Sequence, residues 1–477
     1  MYRLPNELVH QIFNSIADTE TIKTLRLTCK PFSAIGAEYL IPEAHVICTR
    51  DSLERLHQIA LHGTFSKHVT SLLFEGDIVS HYCTRAQWEG GLPPLHSSRN
   101  RLLPVRAFRH IIHQLWPYRP VHTMSERSRA YRNYRKMEAQ QREIIKKGLD
   151  LEIIAYAIKR FPRLATIRVS INAGIAPRTP YFKSIYEPCL LGRDDGFNLD
   201  IIHGHRYGPP GYHQLCAIFL GLFASEHFQK EIYSANYPYL PVNESPAKKV
   251  PLLHLQRLHL GSVDWRILLD PRRGFTAVCH DMVSQVKDLK LIVSADQSLL
   301  NGLMSAIQTC QVLLRSTRSL LRFLEGATEV EILYVEFTPF WPVPLGQAAD
   351  LASIVGKNTW KHLQRLHIRG FKTSEYDLLA FLKRHRRTLQ HYELSNIALD
   401  TGASWQEILP KIRDITRWQD AQIYEWLMDS DGQTGYRWSK PEWKGSPTDF
   451  GQKIQEYLTG KVDENPLMSV DSSRFAL

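Results

Sequence analysis

The sequence predicts an α/β protein: three short N-terminal helices, then an irregular β/α solenoid with long loop and helical insertions. Three observations carry this expectation. The first forty residues set apolar side chains at helical spacing between helix start and stop signals. After Pro42, short strand-type runs alternate with amphipathic helical runs and Pro/Gly-rich loops. The hexamer His254-Leu255-Gln256-Arg257-Leu258-His259 recurs letter for letter at His362-Leu363-Gln364-Arg365-Leu366-His367. A repeat of that length arises by chance in fewer than roughly one chain in a hundred of this size, which marks the two segments as equivalent units.

The N-terminal elements follow in order. Pro5 suits a first helical position, where a backbone donor is orphaned anyway, and Glu7 places negative charge in the first turn. Leu8, Ile12 and Ile16 recur at helical spacing, and Val9, Phe13 and Ile16 form a second stripe beside them. Asp18 and Thr19 cap a second helix holding Ile22 and Leu25. Lys30 precedes Pro31, so the chain leaves the helical region there and restarts with a third helix through Phe32, Ile35 and Leu40. Three short helices in about 40 residues sit at the size limit for a free-standing core, and the apolar surplus asks for a partner.

Residues 4–40 resemble an F-box, the segment that docks a Skp-family adaptor and links a substrate receptor to a cullin–RING ubiquitin ligase. The matching elements are Leu4-Pro5, Glu7-Leu8, Ile12-Phe13, Ile16 and the Leu27-x-Cys29-Lys30 stretch ending in an aromatic residue. Where the family usually places a Trp after a basic residue, this chain has Pro31-Phe32, and one extra residue stands between the first two helices. The resemblance implies that Leu4, Pro5, Leu8, Ile12, Phe13 and Ile16 face both the chain's own helices and the adaptor, with Leu25, Leu27 and Phe32 completing the module. The plain alternative is a helical hairpin packed on its own domain. Cys29 is expected to be a small buried hydrophobe.

Candidate strands of the form apolar-x-x-apolar-x-apolar begin at Val69, Leu164, Leu255, Val286, Ala327, Leu363 and Leu389. With 43% hydrophobic residues, roughly 37 chance matches are expected, so the duplicated hexamer carries more weight than the count. Leu151, Ile154, Ala155 and Ile158 lie at helical spacing before Leu164, as Leu378, Phe381 and Leu382 do before Leu389. A strand followed by a helix whose stripe covers the next strand is a leucine-rich-repeat-like unit, which must stack to bury its face. Together with the N-terminus, this grammar resembles the divergent F-box proteins of filamentous fungi. The expected organisation is an F-box at 1–42, a degenerate leucine-rich-repeat-like substrate-recognition domain at 43–417, and a C-terminal cap with a loose tail at 418–477. Segments 84–104, 172–211, 233–252 and 338–345, rich in Gly, Pro, Asn or Ser, read as loops.

Composition narrows the function. The nine-residue apolar run from Cys216 to Ala224 falls far short of the roughly 20 residues a membrane helix needs, so no membrane partner is expected. Nothing N-terminal reads as a signal peptide, and seven scattered cysteines without a C-x-x-C pair fit reduced thiols in cytoplasm or nucleus. No phosphate-binding glycine motif occurs, and His203-x-His205 with His213 lacks a convincing fourth ligand, so neither cofactor, metal nor catalytic site is expected. Between Arg99 and Lys147 stand thirteen Lys or Arg and three acids, a balance of +10 in a chain whose net charge is +11. Tyr118, Tyr131 and Tyr134 interleave there with Arg119, Arg129, Arg132, Arg135 and Lys136. The stretch is expected to be a long solvated helix from about Ser125, inserted between repeats, facing solvent, an acidic protein or nucleic acid.

The function these readings imply is a non-catalytic substrate-recognition adaptor of an SCF-type ligase, with an unknown protein substrate held by the repeats. Two alternatives stand beside it: an F-box scaffold outside a ligase, and a nucleic-acid-associated protein using the 99–147 segment.

Overall fold

In the computed structural model the described residues are 4–16, 18–79, 84–90, 122–171, 179–191, 212–222, 255–264, 283–294, 319–338, 349–400, 402–415, 418–430, 435–438 and 450–469. Three helices open the chain: α1 (Asn6–Ser15), α2 (Thr19–Arg26) and α3 (Lys30–Ala37). The Asp18 carboxylate accepts from the Glu20 and Thr21 amides and caps α2 as expected. Pro5 stands one place earlier than expected, at the N-cap of α1, where its carbonyl accepts from the Leu8 and Val9 amides. The third helix stops at Ala37, before Leu40. Val9, Phe13, Ile22 and Ile35 form the small core of this unit. Gly36 lets α3 approach closely, since a Cβ there would stand 2.7 Å from Phe13 Cζ.

The remainder is α/β. Among the described residues one sheet holds β1 (Glu43–Ile47), β2 (Ser71–Glu75), β3 (Thr166–Ser170), β4 (Arg257–Asp264), β5 (Asp288–Ser294), β6 (Ile332–Thr338), β7 (Ala349–Asp350), β8 (Arg365–Thr373), β9 (His391–Leu399), β10 (Asp420–Met428) and β11 (Gly435–Trp438). The spatial order follows the chain, with β7 as a side branch on β8. Every pairing is parallel except the closing β10–β11 pair.

One short sequence frame sets the register throughout. A buried apolar residue stands two places before eight of the strands: Val69, Leu164, Leu255, Val286, Val330, Leu363, Leu389 and Trp418. The residue after it offers its carbonyl to two successive amides of the next unit. Thus Pro42 O accepts from Thr70 and Ser71, Gln256 O from Lys287 and Asp288, and Gln364 O from Gln390 and His391. The same double acceptance occurs at each of the eight junctions from β1 to β10. A side-chain period of two then sends one set of residues inward, so a one-residue slip would turn the whole apolar set to the wrong face. Leu72, Ile167, Leu258, Leu289, Leu333, Leu366 and Tyr392 make one buried row, and Phe74, Val169, Leu260, Leu291, Val335, Ile368 and Leu394 the next.

Helices cover that face. α4 (Arg50–Leu61), which the short α5 (Phe65–His68) follows, α8 (Leu149–Arg160), α10 (Tyr212–Leu222), α11 (Ser319–Glu325), α12 (Leu351–Val355), α13 (Glu375–His385) and α14 (Trp405–Arg413) contribute buried side chains to the same core as the strand rows. Leu151, Ile154, Ala155 and Ile158 of α8, and Leu378, Phe381 and Leu382 of α13, all lie inside it, as their spacing predicts. At the β1 edge a second cluster joins Ile47 and Val79 to Trp88 of α6 (Arg85–Gly90), Ala130 and Tyr134 of α7 (Met124–Lys147), and Phe182 and Tyr186 of α9 (Pro180–Leu190).

Several expectations are corrected. The strand expected from Ala327 starts at Ile332 with Val330 as its leading residue. Segments 84–104 and 172–211 are not all loop, since α6 and α9 lie within them; Thr179 caps α9 and Pro180 occupies its first turn. Residues 233–252 and 339–345 lie outside the described residues. The strand frame continues past Trp418 into β10, and the tail is packed as far as Leu467, which is buried and whose carbonyl accepts from Gln406 Nε2. Among the described residues no helix is long and apolar enough to cross a membrane.

Candidate functional site

The N-terminal unit divides its two apolar stripes between inside and outside. Val9 and Phe13 are buried, so Phe13 is core and not a docking side chain. Leu4, Leu8 and Leu27 stand out in solvent at 52, 43 and 87% exposure. Pro5 is exposed, while Ile12, Ile16, Leu25 and Phe32 are half-buried. Phe32 meets Phe13 edge-on at 5.6 Å between ring centroids, and Tyr39 stacks on Phe13 at 5.8 Å. Cys29, expected inside, is exposed. Among the described residues no element covers Leu4, Leu8 or Leu27.

The basic helix departs from expectation on one side only. A capping box at Thr123 and Glu126 starts α7, and Gly148 in the left-handed conformation (φ 64°) turns the chain from α7 into α8. Its inner face is buried through Arg127, Ala130, Tyr134, Glu138, Gln141, Ile144 and Ile145. The stripe escapes an apolar search because its members include polar groups held by hydrogen bonds. Gln141 accepts from the Val79 amide and donates to Cys48 O and to the Tyr186 hydroxyl. Arg129, Arg132, Arg135 and Lys136 are all exposed. Arg135 and Arg142 pair with Glu138, and Lys147 and Arg50 with Glu143. Arg119 and Tyr118 lie outside the described residues.

On the sheet face away from the helical layer, strands β5 to β10 bring together a polar cluster that sequence reasoning missed. The Tyr334 and His367 rings stack at 3.8 Å, with Lys290 Nζ 4.3 Å over the tyrosine. His367 Nδ1 lies 2.9 Å from Glu393, which also accepts from the Tyr424 hydroxyl. Arg369 grips Glu425 with two bonds of 2.9 and 2.7 Å and reaches Glu336 at 3.3 Å. Asn396 donates to the same Glu425 carboxylate at 2.6 Å. A bulge between β9 and β10 aims this group, with left-handed backbone at Gly370 (φ 79°), Asn396 (φ 52°) and Glu425 (φ 64°). Burial lifts Glu425 above the ordinary carboxylate range although Arg369 pulls it down, and burial holds the Lys290 ammonium below its usual value. The one sequence signal for this face was the closing histidine of the duplicated hexamer, which the fold puts at equivalent positions, His259 on β4 and His367 on β8.

The remaining histidine candidate is structural. His213 is buried against Asp150, and His203 and His205 lie outside the described residues. No cluster of three or more metal-ligating side chains occurs among the described residues. No family model matches the chain, and neither does any curated protein.

Proposed function

We propose that the chain is a substrate-recognition adaptor: its N-terminal three-helix unit acts as an F-box that docks a Skp-family adaptor, and its sheet domain carries a protein substrate to a cullin–RING ubiquitin ligase. The observation that carries this reading is the exposure of Leu4, Leu8 and Leu27 on an F-box-like sequence whose own core is already filled by Val9, Phe13, Ile22 and Ile35. Burying such side chains contributes about 1.5–3 kcal/mol each relative to exposure, before the costs of association. The single-direction strand order supports reading the sheet domain as an irregular leucine-rich-repeat-like stack, because each unit hands its register to the next through the same carbonyl. In this mechanism the protein supplies proximity. It holds a substrate near a ubiquitin-loaded conjugating enzyme recruited through the cullin, and no residue of the chain touches the reacting atoms.

Co-expression with a Skp-type adaptor tests the reading. The full-length chain should co-purify in a one-to-one complex. Leu8→Glu with Leu27→Glu should abolish co-purification while the circular dichroism and melting profile stay unchanged, since both side chains are exposed. Adaptor binding undiminished in that double variant would refute the docking face. An adaptor complex that never takes up cullin would instead favour a scaffold outside a ligase.

A further inference from the structure

A second surface is ready for a partner of different chemistry. At about 100° per residue, Arg129, Arg132 and Lys136 fall within about 60° of arc on α7, opposite the buried line of Ala130, Tyr134 and Gln141. Among the described residues Arg132 and Lys136 make no ion pair or side-chain hydrogen bond, and Arg129 feels Glu126 through space, a carboxylate already engaged by its own cap. Of the other outward cations, Arg135 and Arg142 pair with Glu138 and Lys147 with Glu143, while exposed Lys146 stands ten residues beyond Lys136 in the last turn. The helix is also rigidly placed, capped at both ends and pinned by the bonds of Gln141, so its charges need little ordering on association.

We infer that this outer face of α7 is a docking surface for a short acidic protein segment, bound through carboxylate or phosphate groups by Arg129, Arg132 and Lys136. Complementary charge selects the occupant, and two observations favour protein over nucleic acid. Among the described residues, the tyrosines that interleave with the cations offer no stacking platform. Tyr134 is fully buried, and Tyr131 packs against Trp88 and Tyr134 with Arg85 over its ring. Arg129, Arg132 and Lys136 also span only about 10 Å of helix at 1.5 Å per residue, and Glu143, one step further along the same stripe, already holds Lys147 and Arg50. Three charges on a short track suit a compact acidic motif better than a nucleic-acid strand, whose proteins neutralise longer rows of phosphates. This inference stands whether or not the N-terminal unit docks an adaptor.

Fluorescence anisotropy on the full-length chain tests it, using a labelled twelve-residue Glu/Asp-rich peptide, the same peptide bearing phosphoserines, and single- and double-stranded DNA of 20 nucleotides. The acidic peptides should bind at low salt and weaken as salt rises. The triple variant Arg129→Gln, Arg132→Gln, Lys136→Gln should lose about tenfold in affinity, as three exposed ion pairs warrant, with an unchanged melting profile. A charge-matched control, Lys361→Gln, Arg387→Gln, Lys461→Gln, removes exposed cations elsewhere and should leave binding intact. A phosphopeptide preference would name phosphate as the group read, and equal binding would name charge alone. No peptide binding, an equal loss in the control, or DNA bound more tightly through the same three residues would each overturn the proposal.

Discussion

His385 makes acid stability a sharp test of how the helical layer is built. Its ring is buried between Trp360 and Phe381, at 5.7 and 4.6 Å between centroids. Nε2 faces the Trp360 amide at 3.1 Å, and a backbone N–H can only donate, so Nε2 must accept. Nδ1 therefore carries the proton and donates to Phe381 O at 3.0 Å. Protonation would put a hydrogen on Nε2 against the Trp360 N–H and bring charge into the apolar layer beside Arg384. Burial, assisted by Arg384, accordingly holds the imidazole below its ordinary 6.5, against the pull of the Phe381 carbonyl. The sign follows: the unfolded chain takes up a proton at a higher pH than the folded one. Stability is fully present above the unfolded value and is lost as pH falls below it towards the folded value. One proton limits the slope to about 1.4 kcal/mol per pH unit. The perturbation is His385→Gln, whose amide oxygen can accept from Trp360 without titrating. Urea unfolding of both proteins across pH 5.5–7.5 should show stability falling more steeply in the unchanged protein below pH about 6.5, by at most that slope. Parallel curves would refute the assigned proton and its burial cost, whatever the offset between them.

Two further outcomes follow from packing. Phe13→Ala should cost about 3–5 kcal/mol within the N-terminal unit; hydrogen exchange should accelerate across residues 6–37 and stay slow in the sheet, and uniform acceleration would mean that the two parts unfold together. Arg369→Met leaves Glu425 and Glu336 without their cation and should cost about 1–3 kcal/mol by urea midpoint. Adding Glu425→Gln should recover part of that loss, and strictly additive losses would show that the pair does not couple.

The strand frame was legible because Leu255 and Leu363 stand second in identical hexamers, and the structure gives both the same place before their strands. Its phase at β6 was misread because Ala327, Val330 and Ile332 satisfy the same template as Val330, Leu333 and Val335; only backbone pairing separates them. At β10 the frame runs on, with Trp418 in the leading place and Ala421 opposite Tyr392 of β9. The inner face of α7 was hidden because Arg127, Glu138 and Gln141 occupy buried positions that a hydrophobic pattern leaves blank. The polar sheet-face cluster draws single residues from strands far apart in sequence, and no local pattern marks them before the register is known. In the N-terminal unit the helices are legible but their facing is not: Leu8 and Phe13 lie in neighbouring stripes that read alike, and only the packed core puts Phe13 inside and Cys29 outside.

That small core has a thermodynamic consequence. The N-terminal core consists of Val9, Phe13, Ile22 and Ile35, with Ile16, Leu25, Phe32, Tyr39 and Leu40 packed against it. So few buried side chains can offset little of the entropy of ordering three helices. The sheet domain faces no such shortage, since its strand rows and helical layer share one continuous core. Anything that covers Leu4, Leu8 and Leu27 binds only the folded unit, and so stabilises it by mass action in proportion to the logarithm of its concentration over its dissociation constant. Where a partner covers those leucines, its docking and the local folding of the first forty residues form one linked equilibrium. The Leu8 and Leu27 substitutions break that linkage from outside, by removing the covered surface, whereas Phe13→Ala breaks it from inside, by removing the fold that presents it.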